Sequence, residues 1–155
     1  MTGIRVQKEA GILTLVFDRA EKRNAITDAM YGALADAIFA AEDDRKTRAI
    51  LIRAEGESFT AGNDIADFAK AGGGQTGGPR NVRCFLDSLA KSTKPIVAAA
   101  QGAAVGVGTT MLLHCDLVVL AENAVLITPF VNLGLVPEAA SSHLLPPASG
   151  MCGRS

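Results

Sequence analysis

Hydrophobic positions switch between a period of two and a period of about 3.6 along this chain, and the switches mark its elements. Residues 4–8 and 12–17 (IRVQK and ILTLVF) are β-rich runs separated by Glu9-Ala10-Gly11, which predicts a hairpin. In the next segment, ITDAMYGALADAIFAAEDD, residues Ile26, Met30, Leu34, Ile38 and Ala41 recur on one face of a helix, and Thr27 is placed to cap it. AILIRA (49–54) suits a buried strand. The loop EGESFTAGN and a short helix, DIADFAK, come next. Residues 72–79 (GGGQTGGP) predict a mobile loop, because so many glycines leave the backbone unrestrained. A second amphipathic helix covers 80–91, with Val82, Phe85, Leu86 and Leu89 on one face.

The remainder repeats the rhythm. IVAAAQ (96–101) is a strand, GAAVGVG a tight turn and TTMLLHC a helical turn or two. DLVVLA (116–121) and AVLIT (124–128) are strands, PFVNLGLVP is a loop, and EAASSHLL begins another helix that Pro146-Pro147 should stop. Strands and helices alternate throughout, so the fold class is α/β.

Composition bounds the function. The chain has 155 residues, 48% hydrophobic and 20% charged, with a net charge of -1. That suits one compact domain and lacks the basic excess of a nucleic-acid binder. Only Asp116, Glu122, Glu138 and Arg154 carry charge beyond residue 94. The last third is therefore expected to be buried, in a core or against something else. Pro95–Cys115 is uncharged and long enough to span a bilayer, but Gln101, His114 and three glycines argue for a buried strand–turn–helix. Cys84, Cys115 and Cys152 form no metal-like spacing, so a reduced, cytoplasmic setting is expected. The first residues have no signal-peptide core, and the final Gly-Arg-Ser is not a peroxisomal signal.

Two glycine-containing turns each lie between a strand and a helix: Gly62-Asn63-Asp64 and Gly106-Val107-Gly108. Backbone N–H groups at a helix start lack intrahelical acceptors, so two such turns side by side would aim two donors at one oxygen. Two ordinary tight turns remain the alternative. A dinucleotide fingerprint is rejected, since Met111 stands where its third glycine belongs and Glu122 lies too near the turn. Glu138 is the only charge between Glu122 and Arg154. It sits either at a surface turn or as a desolvated base. His114 and His143 have no matching nucleophile and read as structural, and Asp43-Asp44 as a solvated helix end.

Three blocks in order carry a resemblance: RAEKRNAIT, SFTAGNDIADF, and KPIVAAAQGAAVGVGTTMLLHCDLVVLAENAVLITPFVNLGLVPE. Over roughly residues 4–142 the chain resembles the crotonase superfamily, the enoyl-CoA hydratase/isomerase family. The resemblance implies a ClpP-like spiral of ββα units over 1–142, with an atypical tail at 143–155 in place of the family's C-terminal helices. It also implies acyl-CoA thioester substrates, no cofactor beyond the coenzyme A of the substrate, and assembly as a homotrimer or hexamer. By position, the N–H groups of Asn63 and Val107 would bind the thioester oxygen. Ala61, Gly62, Asn63, Asp64, Ile65 and Ala66 would lie along the acyl-CoA, with Gly106 beside the second donor. Arg23 and Ala25 would lie near the CoA head.

Departures from the family pattern bear on the reaction. The two water-handling glutamates of hydratases would fall at Thr110 and Phe130 here, and neither can take a proton from water. The sequence is closer to the Δ3,Δ2-enoyl-CoA isomerase branch, whose single base sits in a motif like LGLVPE. This implies Glu138 as catalytic base, moving a proton from C2 to C4. A hydratase, or a truncated acyl-CoA-binding fragment without catalysis, is the alternative.

Overall fold

A computed structural model describes residues 2–67 and 80–148. The glycine-rich stretch expected to be a loop at 72–79, and Arg154, lie outside the described residues. Strands β1 (Ile4–Glu9) and β2 (Ile12–Phe17) form the expected hairpin, and β2 continues in parallel to β3 (Ala49–Ala54), β4 (Ile96–Ala100) and β6 (Leu117–Leu120). A second, two-stranded parallel sheet pairs β5 (Ala103–Val105) with β7 (Val125–Ile127). The Gly102–Gly108 stretch is thus more than a turn. Its alternate glycines mask a short strand, which gains its ladder from residues some twenty positions later.

Isolated bridges Ile26↔Asn63 and Thr60↔Ala104 extend this second layer. The chain therefore repeats one move. It leaves a long strand in the first sheet, crosses to an extended segment in the second layer, and enters a helix. Ile26 leads into α1 (Asp28–Asp43), Asn63 into a helical turn at 65–67, and β5 into α3 (Val107–Thr110) with a 3-10 turn, Met111–His114. Helix α2 (Arg80–Lys91) packs on α1.

The core follows from the periodicities. Leu13, Leu15, Phe17, Ile50, Ile52, Ile96 and Ala98 are buried on the strands, and Met30, Leu34, Ile38 and Ala41 on α1. Thr27 caps α1 by accepting from the Met30 N–H at 3.3 Å. Phe17 and Phe59 meet edge to face, 5.4 Å between centroids, a geometry that places a ring edge on a π face. No helix of the described residues is long and apolar enough to cross a membrane.

The last third is only partly in the core of this chain, and its closing helix does not stop where the sequence predicts. The apolar residues beyond Asp116 are mostly exposed: Leu117, Val119, Leu120, Val125, Leu126, Val131, Leu133 and Val136 all face outward, Val131 at 91% exposure. β6 is the edge of its sheet, and among the described residues only Val118 of its apolar side chains packs against the core, while Leu117, Val119 and Leu120 are exposed. Helix α4 (Ser141–Ala148) runs across position 142 and through Pro146 and Pro147. The two rings remove donors but leave the 3-10 turn Met111–His114 free to pack against this helix.

Candidate active site

The two glycine turns meet because the second layer brings them together. Thr60 donates its N–H to Ala103 and accepts from Val105, so the TAGN loop runs beside β5. A Cβ on Gly62 would lie 2.8 Å from the Val105 carbonyl oxygen, and Gly62 has φ +85°. Only glycine allows both the approach and the left-handed backbone. Ile26 donates to Gly62 O and accepts from Asp64 N. That is the parallel-bridge pattern, in which the central residue, Asn63, turns its own N–H to the opposite side. Among the described residues the Asn63 N–H has no acceptor. The same holds for the Val107 N–H at the start of α3, while its neighbour Gly106 donates to Ile127 O at 2.8 Å.

A cavity of about 480 Å³ opens over these two groups. Ala61, Gly62, Asn63 and Ile65 line it from the first turn, and Val105, Gly106 and Val107 from the second. Pro129, Phe130, Leu133, Leu135, Val136 and Glu138 close it from the loop after β7. Glu138 is the one ionisable side chain in that lining. Burial raises its carboxyl above the usual carboxylate value, because the apolar wall disfavours the charged form, and the Thr110 hydroxyl opposes part of the rise. Thr110 itself is fully buried behind the cavity.

Tyr31, which lies on α1 beside the stripe that the sequence predicts, is part of this arrangement. Its phenol donates to Asn63 Oδ1 at 2.5 Å, and its ring packs on Phe85. Burial pushes the phenol well above its ordinary value, and the Glu138 charge adds to the rise, followed by that of Asp28. Asn24 and Thr60 are also buried here. Asn24 accepts from Arg19 N and donates to Glu55 O and Ser58 O, and the Thr60 hydroxyl donates to Asn24 O and accepts from Gly62 N. The only signal for Tyr31 is that it is the chain's single tyrosine, set in the buried stripe of a helix.

Of the residues expected at the site, Ala61, Gly62, Asn63, Ile65, Gly106, Val107, Phe130 and Glu138 come together around the cavity. Arg23, Ala25, Asp64, Ala66 and Thr110 stand outside its lining. Arg23 O accepts from Ala61 N, and Ala25 O from Arg19 Nη1. The Asp64 carboxylate is engaged by Arg19 at 2.8 Å and by the N–H groups of Ala66 and Asp67, and the Arg19 contact leads in holding its carboxyl below the usual range. His114 and His143 lie away from the lining, and His114 Nε2 meets Ala139 O at 2.9 Å. The Cys115 thiol is pushed up to about 12, mainly by burial, which leaves it protonated and unreactive. No three His, Cys, Asp or Glu side chains among the described residues form a metal site.

Comparison with known proteins agrees with this geometry. Residues 7–152 match the Enoyl-CoA hydratase/isomerase family. Enoyl-CoA delta isomerase 2 of Rattus norvegicus is 36% identical over 96% of this chain and 39% of its own length. The 1,2-epoxyphenylacetyl-CoA isomerase of Escherichia coli is 33% identical over 92% of this chain and 56% of its own. The solved structure of OdaA from Pseudomonas aeruginosa superposes with a TM-score of 0.87 at 48% identity, covering 95% of this chain and 59% of that one. The chain thus spans between two fifths and three fifths of the length of these relatives. With its two-layer spiral, its paired glycine turns and these matches, the chain belongs to the enoyl-CoA hydratase/isomerase family of enzymes.

Proposed function

We propose that this chain binds an acyl-CoA thioester in the cavity and moves a 3-enoyl double bond to the 2-position. The observation that carries the reading is one carboxylate and two unpaired N–H groups lining the same apolar cavity. A C2 proton beside a thioester is far too weakly acidic for a free carboxylate. The Asn63 and Val107 N–H groups would donate to the thioester oxygen and stabilise negative charge as the enolate forms. Glu138, made more basic by burial, takes the C2 proton to leave a dienolate; as the thioester carbonyl re-forms, the pair becomes the C2–C3 double bond and the former C3–C4 π pair takes the proton back from the same carboxyl at C4. Atoms balance, and the base is regenerated. Phe130, Leu133, Leu135 and Val136 make the wall beside Glu138 apolar, and a bound acyl chain lying on them would keep water from competing for that proton.

The same reading takes Thr110 and Phe130, where a hydratase would place carboxylates, as the reason water is not added. It also carries no separate cofactor, a cytoplasmic setting, and the homotrimeric or hexameric assembly that the resemblance implies. The test is a spectrophotometric assay of 3-enoyl-CoA conversion to the conjugated thioester. Glu138→Gln should slow it by about 10²–10⁴-fold, the range for loss of a general base. Equal rates would remove Glu138 from the mechanism. Strong hydration of 2-enoyl-CoA would remove the isomerase assignment.

A further inference from the structure

Glu138 sits in a segment whose backbone takes few hydrogen bonds from the rest of the fold. Residues 129–144 make their backbone hydrogen bonds internally: Leu133 to Pro129, Leu135 to Phe130, Ser141 to Glu138, and His143 and Leu144 to Ala140. Among the described residues, one hydrogen bond reaches that backbone from outside, between His114 Nε2 and Ala139 O at 2.9 Å. A carbonyl only accepts, so His114 must carry its proton on Nε2 here. The two residues after Glu138, Ala139 and Ala140, both have positive φ, 50° and 54°. Side chains with a Cβ rarely adopt that conformation, and two in succession persist only where the surroundings impose them. The tether grips the first of the pair.

We propose that His114 is a positioning residue for the base: through the Ala139 carbonyl it fixes the left-handed Ala139-Ala140 turn that aims the Glu138 carboxylate into the cavity. The placement along the chain supports this. Val107 opens α3 with one of the two unpaired N–H groups, Thr110 sets its hydroxyl against Glu138, and His114 ends the following 3-10 turn. One continuous run of eight residues, 107–114, therefore registers the oxyanion donor against the base. The inference rests on the reading of Glu138 as base.

The test uses the 155-residue chain carrying His114→Leu or His114→Gln. Glutamine can put an N–H donor where Nε2 stands, and leucine cannot. Two readouts are needed: kcat and KM for 3-enoyl-CoA, and the NMR titration of the Glu138 side-chain carboxyl, assigned by its loss in Glu138→Gln. His114→Leu should lower kcat by about tenfold to a hundredfold with KM unchanged, as expected when a catalytic group is misplaced by an ångström or less. It should also move the Glu138 titration down toward the ordinary carboxylate value as water reaches the freed loop. His114→Gln should restore both. If His114→Leu does not fold, His114→Asn, polar but too short to reach, takes its place with the same expectation. A leucine variant with wild-type kcat and titration overturns the proposal, as does a glutamine variant no better than leucine. If Glu138→Gln keeps full activity, the base assignment has failed instead, and the titration still decides whether His114 positions the loop.

Discussion

Replacing Gly62 with alanine tests whether close backbone approach builds the site. The added Cβ would sit 2.8 Å from the Val105 carbonyl oxygen, and ordinary contact begins at 3.4 Å, so the two turns must part by about 0.6 Å. Holding an L residue at φ +85° costs roughly 1–2 kcal/mol, and overpacking against fixed backbone roughly 1–3 kcal/mol more. Gly134→Ala separates these two costs. Gly134 also has positive φ, +64°, but a Cβ there meets nothing within 4 Å, so only the first cost applies. Urea denaturation of both variants should therefore show Gly62→Ala the less stable by about 1–3 kcal/mol. Because Asn63 and Val107 flank the parted turns, the isomerisation rate should fall by about 10²–10³-fold, as when an oxyanion donor is lost. If Gly62→Ala is no less stable than Gly134→Ala, or keeps the wild-type rate, the two turns do not depend on this contact.

Five further outcomes follow. The rate should rise with pH through a midpoint above the usual carboxylate value, because burial raises the Glu138 carboxyl and only its ionised form accepts a proton. The same shift makes the folded state bind that proton more tightly than the unfolded chain, so Glu138 takes stability away as pH climbs through the window above 4.5; in Glu138→Gln, pH-dependent melting should lose that decline. Asn24→Ala strips three hydrogen bonds from a fully buried side chain and should cost about 3 kcal/mol in urea titrations, whereas a change below about 1 kcal/mol would mean the loop is held by other contacts. Tyr31→Phe leaves Asn63 Oδ1 without its donor and should destabilise by about 1 kcal/mol, while the Phe85 packing persists. Asp44 accepts from Lys46 N first, then from the Thr47 hydroxyl and Lys8, which holds its carboxyl at about 2; Thr47→Val should raise its NMR titration midpoint, and an unmoved midpoint would remove the hydroxyl from that account.

What the sequence disclosed depended on how local each feature is. Helix α1 was legible because its stripe and its Thr27 cap are both contained within a few turns of chain. β5 was not, since Ala103–Val105 between glycines has no strand signature and owes its pairing to β7. Both glycine turns could be found by eye, yet their adjacency depends on the bridges from Ile26 to Asn63 and from Thr60 to Ala104. Read from its residues alone, Glu138 fits a surface turn better than a desolvated base. The resemblance implies the role of base, and the geometry adds the apolar cavity around the carboxyl. Tyr31 stayed hidden because its hydrogen-bond partner lies 32 residues away and its spacing is that of an ordinary core position.

The scarcity of charge beyond residue 94 carries a different message from the one it first suggests. Few charges in a segment predict that it lies away from water, yet Leu117, Val119 and Leu120 on the edge strand, and Val125 and Leu126 on β7, are all exposed. Part of the exposed set has a use within the described residues: Leu133, Leu135 and Val136 are partly exposed because they wall an open cavity, and the same openness admits a ligand to Glu138. The edge-strand residues have no such use. Their exposure sets a free-energy cost of roughly 25 cal/mol for each Å² of apolar surface left in water. Burial and charge patterning thus report on different things. The pattern records the environment the residues require, whereas the solvent exposure records how much of that environment the 155-residue chain supplies by itself. For Glu138 the two agree, since the cavity wall already raises its carboxyl. For β6 and β7 they disagree, and that disagreement separates the residues that line the cavity from those whose apolar side chains stay in water.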